Sequence, residues 1–499
     1  MRELTRKPLE EMDIDKLELE LQSRDDIPQI LKGLQYIFLT PELRQEVFNL
    51  LNGIFPPELD LNNGRPGMDM WSIFAMGVIR LNLNCDYDRL HNLVNNHKTI
   101  RQILGHGITD DGKVHYLQTL KDNLALLTPE ILDQVNQVVV KAGHELIKKI
   151  PKDSPSPPQD TPFDEKLKGR CDSFVVETDV EYPTDTRLLF DAVRKIIELL
   201  ISLCKPLGLL DWQEGEKEIR QFKKLLRKIQ RLKRSSAKDE AKREARQQEI
   251  IEAHQEYLRV ATKLLERAEK TRLEIEQKDP QRKIKLLKIK DFFDHARRQI
   301  DQITRRVIQG EIIPHDEKVF SIFEPYTEWL SKGKAGVPVE FGLNVCILED
   351  QYQFILYHRV MQHEADVDIA VPMVKEAKAR FPKLSRCSLD QGFDSPKNRK
   401  ELEELLEFVI MPKRGKLSKA QLAWQQTEEF IEGRCQHAAV ESAINALEVH
   451  GLDRCLDHGL AGFRRYVALA VVARNVQLLG RYLQYQERHA KADLARQAA

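Results

Sequence analysis

The stretch FIEGRCQHAAVESAINALEVHG, residues 430–451, has two distinct faces when its residues are placed at helical spacing. Val440, Ile444 and Leu447 form an apolar stripe, which predicts a helix packed against a core. A second face carries four different functional groups at steps of three and four residues: Arg434, His437, Glu441 and Asn445. A solvated helix face is usually rich in Lys and Glu, whereas this one is mixed. The pattern is typical both of an ordinary amphipathic helix and of a helix that carries a site.

Two further segments place isolated carboxylates near predicted strands. Asp172 lies in a predicted strand over residues 170–180, and Asp390 follows a short predicted strand over residues 384–389. An isolated Asp at a strand end is often a turn or cap residue. Carboxylates are also the ligands that Mg²⁺ prefers, and a cluster of them can hold two ions for phosphoryl transfer. We therefore interpret Asp172, Asp390 and Glu441 as candidate metal ligands.

Three segments carry a family resemblance. They are HAAVESAINALEVHGLDRCLDHGLAGFRRYVALAVVARNVQLLGRYL (437–483), VVETDVEYPTDTRLL (175–189) and SLDQGFDSPKN (388–398). They resemble bacterial insertion-sequence transposases of the DDE class, of the ISNCY type or a close relative. The resemblance is strong over residues 169–191 and 337–483, is weaker near 64–105, and does not extend to the charged middle of the chain.

The resemblance implies that Asp172, Asp390 and Glu441 are the catalytic triad and bind two Mg²⁺ ions, for which Mn²⁺ can substitute. It implies cleavage of DNA at element ends, followed by attack of the freed 3′-hydroxyl on target DNA. The family pattern places the first acid ahead of the VVET run, which selects Asp172. Asp179 is the alternative, and Phe174 departs from the small hydroxyl residue that relatives usually have there.

Neighbouring polar residues are interpreted as DNA or supporting contacts. Arg434 and His437 would hold a phosphate or orient the attacking water, and Asn445 would brace Glu441 or contact DNA. For these three residues a structural role fits the pattern equally well. Lys413 and Arg414, in a basic loop, are candidates for phosphate contact by charge alone.

The predicted fold is α/β. It is a ribonuclease H-like mixed sheet with flanking helices, a long helical, coiled-coil-like insertion after the first strand, and an N-terminal all-helical domain. The period of two from Val339 predicts a hairpin. Boundaries are expected as follows: helical domain 1–150, Pro/Ser-rich linker 151–168, catalytic domain 169–210 and 313–485, charged insertion 211–312, and polar tail 486–499. The resemblance associates the N-terminal helices with binding of transposon ends and dimer contacts, although a plain dimerisation module fits them nearly as well.

Composition limits the possible functions. The chain has 78 Lys and Arg against 78 Asp and Glu, so DNA binding must depend on local basic patches such as residues 220–238. That run is also typical of the solvated face of a coiled coil. The sequence has no long apolar run and no P-loop motif, which argues against a membrane span and an ATP-driven helper. The seven scattered cysteines predict reduced thiols rather than a zinc module.

The expected protein is therefore a cytoplasmic, nucleoid-associated bacterial enzyme that acts on DNA as a homodimer in a synaptic complex. Two alternatives stay open at this point. One is a ribonuclease H-like nuclease without strand transfer. The other is a non-catalytic DNA-binding or scaffold protein derived from a transposase.

Overall fold

The computed structural model describes residues 3–5, 12–20, 23–54, 67–107, 112–150, 164–234, 239–331 and 339–498. Residues 151–163 of the predicted linker lie outside this part of the chain. None of the helices described is long and apolar enough to cross a membrane. The chain forms two compact units. Unit 1 comprises Met1–Asp179 and Leu330–Ala499, and unit 2 comprises Val180–Trp329.

Before position 151 the described secondary structure is helical, as predicted. The helices are α1 (Asp26–Leu39), α2 (Pro41–Asn52), α3 (Met70–Asn82), α4 (Tyr87–Asn96), α5 (Lys98–Ile103), α6 (Leu117–Leu124) and α7 (Pro129–Lys148). Their starts follow local capping chemistry. At α7, for example, the Thr128 hydroxyl accepts a hydrogen bond from the Ile131 N–H, and Pro129 occupies the first turn.

Strand β1 (Leu167–Thr178) precedes unit 2, which is built from four long helices. These are α8 (Asp185–Cys204), α9 (Gly215–Arg234), α10 (Glu240–Lys278) and α11 (Lys283–Ile303). The break between α10 and α11 falls at Pro280, where the sequence Asp279-Pro280 predicts the end of a helix. Helix α8 was expected in the catalytic domain. It belongs instead to unit 2, because its apolar stripe of Leu189, Val193 and Ile196 joins the core formed by the other three helices.

The remaining chain alternates strands and helices. The elements are β2 (Glu328–Ser331), β3 (Val339–Glu349), β4 (Ile355–Val360), α12 (Asp366–Arg380), β5 (Leu384–Leu389), α13 (Pro396–Leu405), β6 (Phe408–Ile410), α14 (Lys419–Gln425), α15 (Glu428–His437), α16 (Ala439–Leu447), β7 (Arg454–Cys455) and α17 (Gly459–Ala498). The predicted hairpin is confirmed as β3 and β4, which pair antiparallel.

The strands form one mixed sheet of seven strands flanked by helices, in the order β2-β3-β1-β5-β6. Strand β4 also pairs with β3, and β7 pairs with β1. β1 is antiparallel to β3 but parallel to β5, and β5 is parallel to β6. β1 is therefore a central strand between an antiparallel half and a parallel half. The last residue of β5, Leu389, pairs with Cys171 of β1.

Helix α17 packs against both the N-terminal helices and the sheet within unit 1. It packs against α1, α3, α7 and β4, and residues along several of its sides are buried, among them Val467, Val471 and Val476. Helices that are apolar on most sides need partners all round, so α1–α7 form part of unit 1 rather than a separate domain. The helix also continues to Ala498, through the segment expected to be a frayed tail.

Candidate active site

Two of the predicted acids lie side by side on neighbouring strands. The parallel register of β1 and β5 pairs Cys171 with Leu389, and the next residues along the two strands are Asp172 and Asp390. Side chains at equivalent positions of adjacent parallel strands project from the same face, about 4.8 Å apart. Strand β5 ends at Leu389, so Asp390 lies at its carboxyl end with 53% of its side chain exposed.

The third predicted acid comes from a helix that covers β1. Glu441 lies in the first turn of α16 and is exposed, while Val440 and Leu447 on another side of the same helix are buried. Helix α16 packs directly on β1, the strand that carries Asp172. The apolar stripe predicted from the sequence therefore leaves the Glu441 carboxylate exposed on a helix that contacts this strand.

The pKa of the Asp172 carboxyl depends on its burial and on the charges of nearby residues. Partial burial is the largest cause that raises the pKa of its carboxyl, and the negative charges of Asp390, Asp366 and Glu441 raise it as well. A hydrogen bond from the Ser173 N–H to Asp172 Oδ1, 2.8 Å long, acts in the opposite direction, and the net pKa is about 6. The structure thus brings Asp390 and Glu441 within electrostatic reach of Asp172, and it adds a fourth acid.

The fourth acid, Asp366, was not identified from the sequence. It lies in the first turn of α12, and its Oδ1 accepts a hydrogen bond of 2.7 Å from the hydroxyl of Ser173. A Cβ added at Gly392 would come within 2.9 Å of Asp366 Oδ2. Asp366 is therefore in contact with the residue after Asp172 and lies against the loop after Asp390. An Asp in the first turn of a helix is so common that its sequence context gave no signal.

The carboxylates of these side chains are suitable ligands for the predicted divalent metal ions. Asp172 is partly buried and surrounded by like charge, which is the electrostatic situation that a bound divalent cation relieves. Asp172, Asp390 and Glu441 would hold the ions, and Asp366 supplies a further carboxylate beside them. Among the described residues, no three His, Cys, Asp or Glu side chains already converge on one point as metal ligands do.

Arg434 pairs with one of these acids. Its Nη1 lies 3.7 Å from Asp390 Oδ1, and this nitrogen has no hydrogen-bond partner among the described residues. The sequence predicted one helix over residues 430–451, but the structure divides it at Ala438 into α15 and α16. Arg434 and Glu441 therefore lie on different helices. The Arg170 guanidinium anchors the junction by donating to the carbonyl of Gln436, at 3.4 Å.

His437 is buried at the end of α15 and is 6% exposed. Its Nδ1 lies 3.0 Å from the hydroxyl of Ser388 on β5. Burial and, to a smaller extent, the charge of Arg434 lower the pKa of the imidazole to about 4. His437 is consequently neutral near pH 7 and connects α15 to the strand that leads to Asp390.

No family model, curated protein or solved structure matches this chain. The resemblance in the three quoted segments therefore stays a prediction. A functional conclusion depends on the geometry around Asp172, above all its register with Asp390 and the nearby charge of Glu441.

The basic loop is tied to the loop that follows Asp390. The backbone carbonyl of Lys413 accepts a hydrogen bond of 2.9 Å from the Gln391 amide, and the Arg414 N–H donates to Asp394 Oδ2 at 2.6 Å. The Lys413 ammonium is engaged by Gln421, whereas the Arg414 side chain is exposed. Asn445 on α16 is also exposed. Arg414 and Asn445 therefore remain accessible to a ligand.

Asp179, the alternative first acid, lies just beyond the end of β1. Seven residues of extended chain separate it from Asp172, which corresponds to about 23 Å. Its carboxylate pairs with Arg454, at 3.6 Å, and it is not among the charges that act on Asp172. The geometry therefore favours Asp172 over Asp179 as the partner of Asp390 and Glu441.

Proposed function

We propose that the chain is a DDE-class DNA transposase that cleaves the ends of an insertion sequence and joins them to target DNA. The observation that carries this proposal is the register of Asp172 with Asp390 on adjacent parallel strands, with Glu441 on a helix packed on β1. Asp172 in the middle of β1, Asp390 after the end of β5 and Glu441 on α16 would supply the carboxylate oxygens that Mg²⁺ prefers as ligands.

The arrangement of the sheet supports a ribonuclease H-like fold. Three strands are antiparallel neighbours in the order β4, β3, β1, and two more, β5 and β6, continue parallel to β1. Unit 2 lies in the sequence between β1 and β3, where an insertion after the first strand was expected. The proposed triad then comes from the central strand, the neighbouring parallel strand and a late helix.

The proposed reaction consists of two phosphoryl transfers. First, a water oxygen attacks a phosphorus at the element end, the phosphorus–O3′ bond breaks, and a 3′-hydroxyl is left. Second, that hydroxyl oxygen attacks a phosphorus of the target, whose own phosphorus–O3′ bond breaks. One phosphodiester bond is exchanged for another, so strand transfer needs no nucleotide. Two bound Mg²⁺ ions would activate the attacking oxygen and stabilise the leaving one.

The side chains of this chain prepare that chemistry. Asp172, Asp390 and Glu441 would bind the Mg²⁺ ions as carboxylates. Asp172 therefore has to lose its proton before it can bind an ion. Arg434 neutralises Asp390 and is placed to hold a phosphate, and Arg414 and Asn445 add accessible polar groups nearby. Two element ends have to be held together, which implies a homodimer in the synaptic complex, formed in the bacterial cytoplasm on the nucleoid.

The test uses purified full-length protein and a plasmid that carries the gene with its native flanking DNA. Strand breaks are mapped by primer extension with Mg²⁺ or Mn²⁺, and strand transfer is scored by joined products in a second plasmid. We expect Asp172→Asn, Asp390→Asn and Glu441→Gln each to lower cleavage by about a thousandfold, which corresponds to about 4 kcal/mol on the barrier.

Asp179→Asn is the matched control, since it makes the same chemical change at an exposed position about 23 Å away along the chain. It should retain full cleavage. Metal-dependent cleavage that survives in Glu441→Gln would overturn the triad. Cleavage without joined products would indicate a nuclease, and DNA binding without any metal-dependent cleavage would indicate a scaffold protein.

A further inference from the structure

One face of α9 carries an unusual concentration of positive charge. The helix has no Asp or Glu after Glu218. Six cations that follow lie within one broad stripe at helical spacing, which we call the α9 basic stripe: Arg220, Lys223, Lys224, Arg227, Arg231 and Arg234. All six are exposed. None of them forms an ion pair or side-chain hydrogen bond with the residues that the structure describes.

The opposite face of α9 explains why the stripe points outward. Phe222, Leu226 and Ile229 are buried in the core of unit 2. The Phe222 ring stacks on Tyr257 of α10 with ring centroids 4.4 Å apart. Because the apolar face is already covered by protein, the stripe is held in one orientation by the packing of the unit, and no free apolar face remains for insertion into a lipid surface.

Several cations elsewhere in unit 2 are neutralised by acids on the same helix. On α10, Arg259 lies 2.6 Å from Glu256, and Lys278 lies 2.8 Å from Glu274. Arg246 pairs with Glu249, at 3.2 Å. The α9 basic stripe thus differs from an ordinary charged helix face, on which i,i+3 and i,i+4 pairs of opposite charge alternate.

We propose that the α9 basic stripe binds the sugar–phosphate backbone of duplex DNA and does not read base sequence. From Arg220 to Arg234 the stripe extends about 21 Å at 1.5 Å per residue. Duplex DNA carries one charge per about 1.7 Å of its axis, so this length faces the phosphates of about six base pairs. Exposed Lys and Arg side chains are common donors to phosphate oxygens, and such contacts position a protein on the duplex without reading its sequence.

This inference shares its DNA substrate with the proposed function, but it does not depend on catalysis. The test measures binding of full-length protein to a fluorescent random-sequence duplex of 30 base pairs, by anisotropy, in EDTA and from 50 to 200 mM salt. The test variant is Lys223→Gln/Lys224→Gln/Arg227→Gln/Arg231→Gln. The matched control, Arg246→Gln/Arg259→Gln/Lys278→Gln/Arg297→Gln, removes the same charge from ion-paired, partly or fully exposed positions of the same unit.

Each lost phosphate contact should reduce the slope of log affinity against log salt by about 0.9. We expect the slope of the α9 variant to fall by about 2 to 4, and its affinity at 50 mM salt to fall by about 100-fold or more. The control should stay within about threefold of wild type, because its cations are already neutralised. Thermal melts that match wild type show that both variants fold.

Equal losses in the two variants would mean that only bulk charge matters, and would overturn the proposal. Wild-type affinity in the α9 variant would also overturn it and would favour an acidic protein as the partner of the stripe. The two proposals fail separately. Loss of random-duplex binding in the α9 variant supports the basic stripe even if Glu441→Gln leaves metal-dependent cleavage intact, and wild-type binding in the α9 variant overturns the stripe even if Glu441→Gln abolishes cleavage.

Discussion

The guanidinium of Arg434 lies 3.7 Å from the carboxylate of Asp390, measured from Nη1 to Oδ1. Helix α15 thereby places a positive charge against Asp390, one of the three acids whose charges act on Asp172; the others are Asp366 and Glu441. In this arrangement Arg434 is the counterion of Asp390. A divalent cation that binds Asp390 has to share or displace that contact.

Replacing Arg434 should therefore strengthen metal binding and weaken catalysis. A half-exposed ion pair contributes about 1 kcal/mol, so Arg434→Gln should tighten Mn²⁺ binding by about fivefold in the absence of DNA. Mn²⁺ titration followed by electron paramagnetic resonance measures this directly. Arg434→Lys keeps the charge and should bind Mn²⁺ like wild type. An unchanged affinity in the Gln variant would show that Arg434 does not compete for Asp390.

Metal binding should depend on pH through Asp172. The pKa of its carboxyl is raised to about 6, so below that pH a proton has to leave before the carboxylate can bind an ion. We expect Mn²⁺ affinity to fall by about tenfold per pH unit below about pH 6 and to level off above about pH 7. Calorimetric titration at half-unit steps measures the curve.

Asp366 offers an internal check on that curve, because its negative charge contributes to the raised pKa of Asp172. Asp366→Asn should move the midpoint of the pH dependence to lower pH. Asp179 lies beyond the end of β1, so Asp179→Asn should not change the midpoint of the pH dependence. If Asp366→Asn leaves the midpoint of the pH dependence unchanged, the Asp366 carboxylate does not affect the pKa of Asp172.

His437 should behave as a structural residue and not as a general base. The pKa of its imidazole is lowered to about 4, so the ring is neutral throughout the range from pH 5 to 8. His437→Ala removes the contact with Ser388 and should cost about 1–3 kcal/mol of stability. His437→Asn keeps a polar group near the Nδ1 position and should retain the wild-type pH–rate profile. A His437 resonance that titrates near pH 6.5 in NMR spectra would contradict this assignment.

The buried carboxyl of Glu349 should make the protein less stable as pH rises. Burial raises its pKa from 4.5 to about 8 despite Arg170, whose Nε lies 3.4 Å from Oε1. Neither carboxyl oxygen has a hydrogen-bond partner among the described residues. Below pH 4.5 the folded and unfolded states both hold the proton. Between pH 4.5 and 8 only the folded state holds it, so deprotonation favours unfolding.

Glu349→Gln removes that ionisation. We expect it to raise the free energy of unfolding by a few kcal/mol at pH 8 relative to wild type, with little change at pH 5. Urea unfolding at both pH values measures the difference. Glu407→Gln, at an exposed position paired with Lys166, is the control and should have a small effect at either pH. Loss of stability at pH 8 in Glu349→Gln would mean that Glu349 is ionised and stabilised by Arg170.

Much of the secondary structure followed from local pattern. The period of two over Val339–Ile347 predicted β3, and Pro280 marked the break between α10 and α11. The apolar stripe through Val440 and Leu447 predicted the buried side of α16. These features depend on side-chain spacing and on the backbone restrictions of proline, which act within a few residues and can be read without a partner.

Other features needed the folded chain. The break at Ala438 depends on anchors from distant strands, since Arg170 of β1 binds Gln436 and Ser388 of β5 meets His437. The apolar stripe of α8 could pack either on the sheet or on the helices of unit 2, and the sequence did not distinguish the two. In the folded chain the stripe lies in the core of unit 2.

For the candidate site, too, the identity of the residues could be predicted from the sequence, whereas their arrangement depends on the folded chain. Asp172, Asp390 and Glu441 were named from residue type, position and family resemblance, which are properties of short segments. Their closeness depends on the register of β1 with β5 and on the packing of α16, and the role of Asp366 depends on where α12 meets Ser173. These contacts join residues far apart in the chain. They are set by strand pairing and core packing, which no local pattern encodes.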